Sequence, residues 1–197
     1  MLPTYGGLYV THGIPQCTAS ACYTPHAETG ACSCPAGFVP HGPYNVLDDR
    51  GCPSGNPPYG WSSAYFCVQG TPTTDSDFGG VYQRTAAEGC VANNPWTGGC
   101  TCPAGMQAIE LVTDGACWLN RRTGICWNPS ATPVSFGGTY QLDDGSSCTV
   151  ANPATGGCSC PAGTTSRVIR AVHGPSDIGC SKSGSQGANL HVCTATP

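Results

Sequence analysis

The sequence predicts an all-β, disulfide-rich protein made of three tandem repeats of short antiparallel strands and hairpins. One observation behind this prediction is the phrase Thr-Gly-x-Cys-x-Cys-Pro-Ala-Gly, which occurs at residues 29–37, 97–105 and 155–163. A long sequence unit that recurs in this way indicates one supersecondary unit used three times. The other observation is composition: 16 cysteines, 28 glycines and 18 prolines in 197 residues favour disulfides and turns over long helices.

The repeat extends well beyond this phrase. Each copy opens with an aromatic residue followed by Gly-Gly-x-Tyr, and Phe136 of the third copy follows Phe78 of the second by 58 positions without a gap. The first copy has five extra residues between Tyr9 and Cys22, and Cys17 lies in that insertion. Three such repeats can close into a pseudo-threefold body or stack end to end. We assign repeat 1 to residues 1–77, repeat 2 to residues 78–135 and repeat 3 to residues 136–197.

Each repeat is predicted to contain a hairpin followed by two further strands. In the hairpin of repeat 3, Asn152 and Pro153 suit the start of a turn, and Gly156 suits its left-handed position. The Cys-x-Cys pair is predicted in the strand that follows, where its side chains would share a face and reach two different partners. The two further strands are predicted at 44–47 and 64–67, at 108–112 and 124–127, and at 167–172 and 190–193.

All 16 cysteines are predicted to form disulfides. Five cysteines align between the repeats, so repeats 2 and 3 cannot each be closed internally. Either one cysteine in each bridges to a neighbouring repeat or some cysteines bridge to another chain, and Cys17 can complete repeat 1. Spacing alone leaves the connectivity open. The aligned sets are Cys22/Cys90/Cys148, Cys32/Cys100/Cys158, Cys34/Cys102/Cys160, Cys52/Cys117/Cys180 and Cys67/Cys126/Cys193.

Charge and hydropathy exclude two classes of partner. Only 9% of residues are charged, the net charge is -4, and Lys182 is the only lysine, so no basic patch for nucleic acid is expected. No apolar run approaches the roughly 20 residues that span a bilayer, and the first residues lack the pattern of a signal peptide. Together with the cysteines, this predicts an extracellular or cell-surface protein whose export signal is not in this chain.

Neither a metal or cofactor site nor a catalytic site is predicted. Structural zinc sites normally use pairs spaced Cys-x2–4-Cys, whereas the close pair here is Cys-x-Cys and no histidine recurs between repeats. The five histidines fall at unrelated positions, and there is no Gly-x-Ser-x-Gly motif. The adjacent pairs Asp48-Asp49 and Asp143-Asp144 point apart on a strand or mark a turn. We therefore expect no catalytic residue.

Polar side chains kept in all three repeats give an alternative functional signal. In a lectin with three equivalent sites, an aspartate would accept bonds from sugar hydroxyls and a tyrosine would stack on the sugar ring. The competing interpretation is turn capping for threonine and aspartate and core packing for tyrosine. The four tryptophans do not recur, which weakens the lectin hypothesis. The candidate ligand-binding residues are Tyr9, Tyr82, Tyr140, Asp49, Asp114 and Asp177, with Thr29, Thr97 and Thr155 beside them.

The repeat also resembles a known kind of unit. Repeats 2 and 3 contain Gly-Gly-x-Tyr-Gln, with Gln83 and Gln141, followed by Asn-Pro-x-Thr-Gly-x-Cys-x-Cys-Pro-Ala-Gly, whereas repeat 1 has Val10 for the glutamine and His26-Ala27 for Asn-Pro. This unit is similar to repeats in secreted, cysteine-rich bacterial proteins, including those of predatory soil bacteria. The resemblance implies an extracellular setting and no catalytic residue. Residues 32–38 alone resemble the last hairpin of an epidermal-growth-factor-like module.

These observations together predict a non-enzymatic extracellular structural protein that self-assembles into a fibre or surface layer. A surface with so few charges favours association, so the expected partner is a further copy of the chain. The alternative is a secreted carbohydrate-binding or adhesive protein whose partners are glycans. The joints at 70–77 and 129–135, rich in proline, threonine and serine, are also candidate O-glycosylation sites.

Overall fold

The computed structural model describes residues 4–12, 22–48, 60–85, 88–114, 121–132, 135–143, 146–172 and 187–195. These residues form twelve β-strands in three four-stranded antiparallel sheets, and they contain no helix. The predicted all-β, disulfide-rich fold with three repeats is therefore confirmed.

Each repeat contributes one sheet with the same topology. The strand order in every sheet is second, first, fourth, third, so the fourth strand of a repeat lies between the first and the third. The strands of repeat 1 are β1 (Tyr5–His12), β2 (Cys22–Thr24), β3 (Val39–Asp48) and β4 (Gly60–Val68). Those of repeat 2 are β5 (Phe78–Thr85), β6 (Gly89–Ala92), β7 (Gln107–Asp114) and β8 (Arg121–Trp127). Those of repeat 3 are β9 (Phe136–Asp143), β10 (Cys148–Val150), β11 (Thr164–Val172) and β12 (Gly187–Ala195).

The three sheets cover one shared core. The aromatic residues that open the repeats meet there: ring centroids lie 4.8 Å apart for Tyr5 and Phe78, 5.4 Å for Tyr5 and Phe136, and 5.2 Å for Phe78 and Phe136. The third strands β3, β7 and β11 also contact one another pairwise. A linear stack would not bring repeat 1 to repeat 3, so the repeats close into a pseudo-threefold body. Each large apolar side chain buried in this core contributes about 1.5–3 kcal/mol.

The prediction that the Cys-x-Cys pair lies in a strand is wrong. In all three repeats the pair lies in a loop after the hairpin. The reason is visible in repeat 2, where the carbonyl of the middle residue, Thr101, accepts bonds from Asn94 Nδ2 at 3.2 Å and from Thr97 Oγ1 at 3.0 Å. Side chains of the hairpin thus satisfy the backbone group that a strand partner would otherwise bind.

Six disulfides join described residues, two in each repeat. One closes the hairpin, and the other joins the loop to the fourth strand, so the two cysteines of each Cys-x-Cys pair have different partners as predicted. Every described cysteine is in a disulfide. The bonds are Cys22–Cys32, Cys34–Cys67, Cys90–Cys100, Cys102–Cys126, Cys148–Cys158 and Cys160–Cys193. The predictions for Cys17, Cys52, Cys117 and Cys180 lie outside the described residues.

Candidate functional sites on the outer faces of the sheets

The three repeated tyrosines lie on the outer face of each sheet, which we define as the face opposite the shared core. Tyr9 alternates with the core residues Leu8 and Val10, and Tyr82 and Tyr140 occupy the same position in their strands. All three are nevertheless covered, with exposed fractions of only 5–7%. What covers them differs from repeat to repeat, because the residue opposite on the fourth strand differs.

In repeat 1 the tyrosine faces a second tyrosine. Tyr9 lies opposite Tyr65, and their rings stack with centroids 5.0 Å apart and planes inclined by 16°. Burial raises the pKa of Tyr9, and the neighbouring Tyr65 raises it further, so the hydroxyl stays protonated at neutral pH. The hydroxyl-bearing pair Thr11 and Ser63 is the next pair along the same face. This outer face is aromatic and uncharged in the residues named.

In repeat 2 the tyrosine faces a glycine and a charged cluster. Tyr82 lies opposite Gly124, and its ring occupies the space into which a side chain at position 124 would project. The pKa of Tyr82 is raised by burial first and then by the nearby carboxylate of Glu110. Arg84 donates to the same carboxylate at 2.7 Å, and Arg122 lies 3.7 Å from it.

In repeat 3 the tyrosine faces a histidine. The rings of Tyr140 and His191 stack with centroids 4.4 Å apart and planes inclined by 8°. Ser166 Oγ lies 2.7 Å from His191 Nδ1, and burial lowers the pKa of His191, which favours the neutral ring. A serine–histidine contact alone does not make a nucleophile of the catalytic-triad kind, which also needs a group orienting the base and donors for the oxyanion.

The repeated threonines act inside the hairpin. In each repeat the threonine hydroxyl donates to two backbone carbonyls and accepts from one backbone N–H of the same loop. Turn capping, the interpretation that competed with ligand binding, accounts for every one of these contacts. The residues concerned are Thr29, Thr97 and Thr155.

The structure does not bring the repeated aspartates into a describable site. Asp49 and Asp177 lie outside the described residues, and Asp114 is the last residue of β7 with its side chain also outside them. Their proposed contact with a ligand therefore stays a prediction.

A buried hydrogen-bonding side chain under each hairpin was missed by the sequence analysis. Asn152 is fully buried; its Nδ2 donates to Gly137 O at 2.9 Å and to Ser159 O at 3.1 Å, and its Oδ1 accepts from Ala154 N at 3.0 Å. Asn94 makes the same contacts in repeat 2, with Gly79, Thr101 and Trp96. The signal was Asn-Pro itself, which the sequence analysis interpreted only as the start of a turn.

The second glycine of each Gly-Gly pair makes room for this side chain. Gly80 has φ of +93°, and a Cβ there would lie 2.6 Å from Asn94 Oδ1. Gly138 is arranged in the same way against Asn152. A residue with a side chain would be strained at this φ and would also displace the asparagine.

The repeated glutamine was also missed as a structural residue. Gln83 is 2% exposed; its Oε1 accepts from Asn45 N at 3.1 Å, and its Nε2 donates to Asn45 O and to Thr123 Oγ1, each at 2.9 Å. Asn45 belongs to β3, the edge strand of the neighbouring sheet, so one side-chain amide pairs with that edge as a further strand would. Gln141 is equally buried in repeat 3.

The residue before each opening aromatic joins neighbouring repeats. Asp77 is buried and accepts from Ser135 N at 2.6 Å and from Phe136 N at 2.8 Å, while Thr4 Oγ1 donates to Phe78 O at 3.0 Å. The sequence signal that could have identified this contact is a side chain able to form hydrogen bonds before the opening aromatic residue of every repeat, namely Thr4, Asp77 and Ser135.

The described residues contain no group of three or more His, Cys, Asp or Glu side chains that could hold a metal ion. Nor is any helix of that part of the chain long and apolar enough to cross a membrane. Searches of protein-family models and of curated proteins found no match to this chain.

Proposed function

We propose that this chain is a non-enzymatic structural protein of the extracellular space that assembles with further copies of itself. The observation that carries the proposal is the use of the repeated polar side chains. The threonines bind their own hairpins, the asparagines lie under them, and Gln83 binds the next sheet. These recurring side chains of the described residues therefore serve to build the body of the protein.

The cysteines support links beyond a single repeat. The six described disulfides use four of the five aligned cysteines in each repeat and all stay within it. Repeats 2 and 3 then retain one cysteine each, Cys117 and Cys180. Any disulfide that either of these forms must reach another repeat or another chain.

Assembly by strand addition is disfavoured by the outer edge strands. These strands, β2, β6 and β10, have only three, four and three residues. Short edge strands are one way in which proteins prevent edge-to-edge pairing. We therefore propose that copies associate through sheet faces or through disulfides, and that no continuous β-sheet runs between them.

Light scattering and negative-stain microscopy of the oxidised protein test the proposal. We expect oligomers or polymers whose mass grows with protein concentration. Mass mapping without reduction then separates face contacts from disulfide links, because only the latter give peptides joined between chains. A monomer at high concentration, with all 16 cysteines paired inside one chain, would contradict the proposal.

Carbohydrate binding or adhesion is the second candidate, and the stacked tyrosines of repeat 1 favour it. Tyr9 and Tyr65 present an aromatic pair next to the hydroxyl-bearing Thr11 and Ser63. A glycan array tests it, with Tyr65→Ala and Asp114→Ala expected to weaken binding while the protein stays folded. Array signals unchanged in both variants would remove these positions from the hypothesis.

A further inference from the structure

Two arginines lie directly opposite each other on the outer face of the sheet of repeat 2, which is called sheet 2 below. Arg84 on β5 pairs with Arg122 on β8, and their side chains are 48% and 46% exposed. Like charges directly opposite on neighbouring strands destabilise a sheet. The fold does not require them, because the equivalent pairs are Thr11 with Ser63 in repeat 1 and Leu142 with Asn189 in repeat 3.

One carboxylate neutralises this pair only in part. Glu110 Oε2 accepts from Arg84 at 2.7 Å, but it lies 3.7 Å from Arg122, beyond hydrogen-bonding distance. The cluster of Arg84, Arg122 and Glu110 therefore has a local charge of about +1 on a chain whose net charge is -4. Arg122 thus forms no hydrogen bond to this carboxylate, and nearly half of its side chain is exposed.

We propose that this cluster binds the carboxylate or sulfate groups of an acidic polysaccharide. A guanidinium presents a planar fork of donors that matches an oxyanion, and a bidentate contact of this kind is stronger than one between neutral groups. Arg122 offers its fork to the oxyanion, and Arg84 on the adjacent strand, already bound to Glu110, adds positive charge beside it. The proposal goes beyond self-assembly and does not depend on it.

A polysaccharide fits this face better than the other polyanions. Nucleic acid is bound through many phosphate contacts, whereas this cluster offers two arginines in a chain with seven basic residues. A uronic acid chain presents its carboxylates singly along its backbone, which suits two arginines on adjacent strands better than a long run of phosphates does. An acidic surface of a second copy is the competing partner and is distinguished by the experiment.

The test is titration calorimetry of the oxidised full chain with polygalacturonate, and with neutral dextran as the control polymer. The variant Arg84→Thr/Arg122→Ser gives sheet 2 the residues that repeat 1 has at these positions, so the fold tolerates them. We expect it to weaken polygalacturonate binding at least about tenfold, as the loss of charged hydrogen bonds implies. The control variant Arg50→Ser/Lys182→Ser removes the same charge at two other positions of the sequence and should bind like the wild type.

Glu110→Gln tests the proposal through an expected increase in the affinity for polygalacturonate. It removes the competing carboxylate, so it should tighten binding about threefold, and salt above roughly 0.15 M should weaken all binding. No binding by the wild type, or equal losses in the two double variants, would overturn the proposal. A salt-dependent self-association that Arg84→Thr/Arg122→Ser abolishes, without polygalacturonate binding, would assign the cluster to a second copy and also overturn it.

Discussion

In repeats 1 and 2, different side chains form hydrogen bonds to equivalent backbone groups under the hairpin. Under the hairpin of repeat 2, Asn94 donates to Gly79 O and accepts from Trp96 N. In repeat 1, His26 occupies that place: its Nε2 contacts Gly6 O at 2.5 Å, and its Nδ1 accepts from Glu28 N at 3.1 Å. The difference shows that the position requires a donor and an acceptor at a fixed separation, and an imidazole meets that requirement as an amide does.

Repeats 1 and 2 also differ in the residue that each uses at the position of Gln83, where repeat 2 contacts a neighbouring sheet. Gln83 of repeat 2 binds the edge of β3 with both ends of its amide, whereas the equivalent residue of repeat 1 is the apolar Val10, 1% exposed. Repeat 1 also contributes Tyr44, whose hydroxyl donates to Val81 O at 2.7 Å. Several directed hydrogen bonds thus hold the boundary between repeats 1 and 2, whereas Val10 packs in the shared apolar core.

The largest expected effect comes from removing the buried amide. Asn152→Ala should lower the free energy of unfolding by about 3 kcal/mol, because the buried carbonyl of Gly137 and the N–H of Ala154 lose their partner and Ser159 O keeps only Thr155 Oγ1. Denaturant unfolding of the oxidised protein measures it. His26→Asn is the matched control and should change stability by less than about 1 kcal/mol. A large loss in the control would mean that the two residues are not equivalent.

The second largest effect is expected when the hydrogen-bonding glutamine between two sheets is replaced by the apolar residue that repeat 1 has at this position. Gln83→Val introduces the residue of repeat 1 and leaves Asn45 N and O without the amide, so we expect a loss of about 2 kcal/mol. The exposed neighbour provides the control, since Arg84→Thr should change stability by less than about 0.5 kcal/mol. Equal stability of Gln83→Val and the wild type would show that packing alone holds this edge.

A third change should stabilise the protein. The hydroxyl of Tyr5 is buried and has no hydrogen-bond partner in the part of the chain that the structure describes, and burial raises its pKa, so it remains a protonated donor at neutral pH. Tyr5→Phe gives repeat 1 the residue of the other two repeats and should raise the free energy of unfolding by about 1 kcal/mol. Phe78→Tyr should act in the opposite direction. A loss of stability in Tyr5→Phe would indicate that Arg167, which lowers this pKa, depends on the hydroxyl.

The smallest expected effect is on the pH dependence of stability. It arises from histidines of repeats 1 and 3, because repeat 2 has no histidine. Burial lowers the pKa of His41 and of His191, so the folded state favours their neutral form. Their contribution is complete above the unfolded pKa of about 6.5 and is lost as the pH falls toward the lower folded value. Melting temperatures from about pH 7.5 to about pH 5 should fall less in His41→Gln/His191→Gln than in the wild type. Parallel curves would assign the whole acid dependence to other groups.

The sequence predicted the repeated fold well because its signals are local. Turn residues and the regular cysteines depend on neighbours along the chain, and β3, β7 and β11 each contain a predicted strand. The functions of Asn152 and Gln83 depend on which strands lie side by side. Neither could be found before the closed arrangement was known, although both residues were visible as members of the repeat.

The candidate site on the outer face of repeat 2 could likewise be predicted only in part from the sequence. Tyr82 was correctly singled out as recurring, but its contacts with Gly124 and Glu110 come from strand pairing. The cluster of Arg84, Arg122 and Glu110 was not predicted at all, because its members lie on three different strands and have no charged counterparts in the other repeats.

The shared core carries a consequence for the history of the chain. Among the described residues, the apolar face of each sheet is covered by the other two sheets, and Tyr5, Phe78 and Phe136 hold equivalent positions in the three repeats. An ancestor with one repeat would therefore have needed two identical partners, arranged as a ring of three. In the present chain the residues opposite the repeated tyrosines differ between the three outer faces, whereas an aromatic ring is kept at the centre in every repeat.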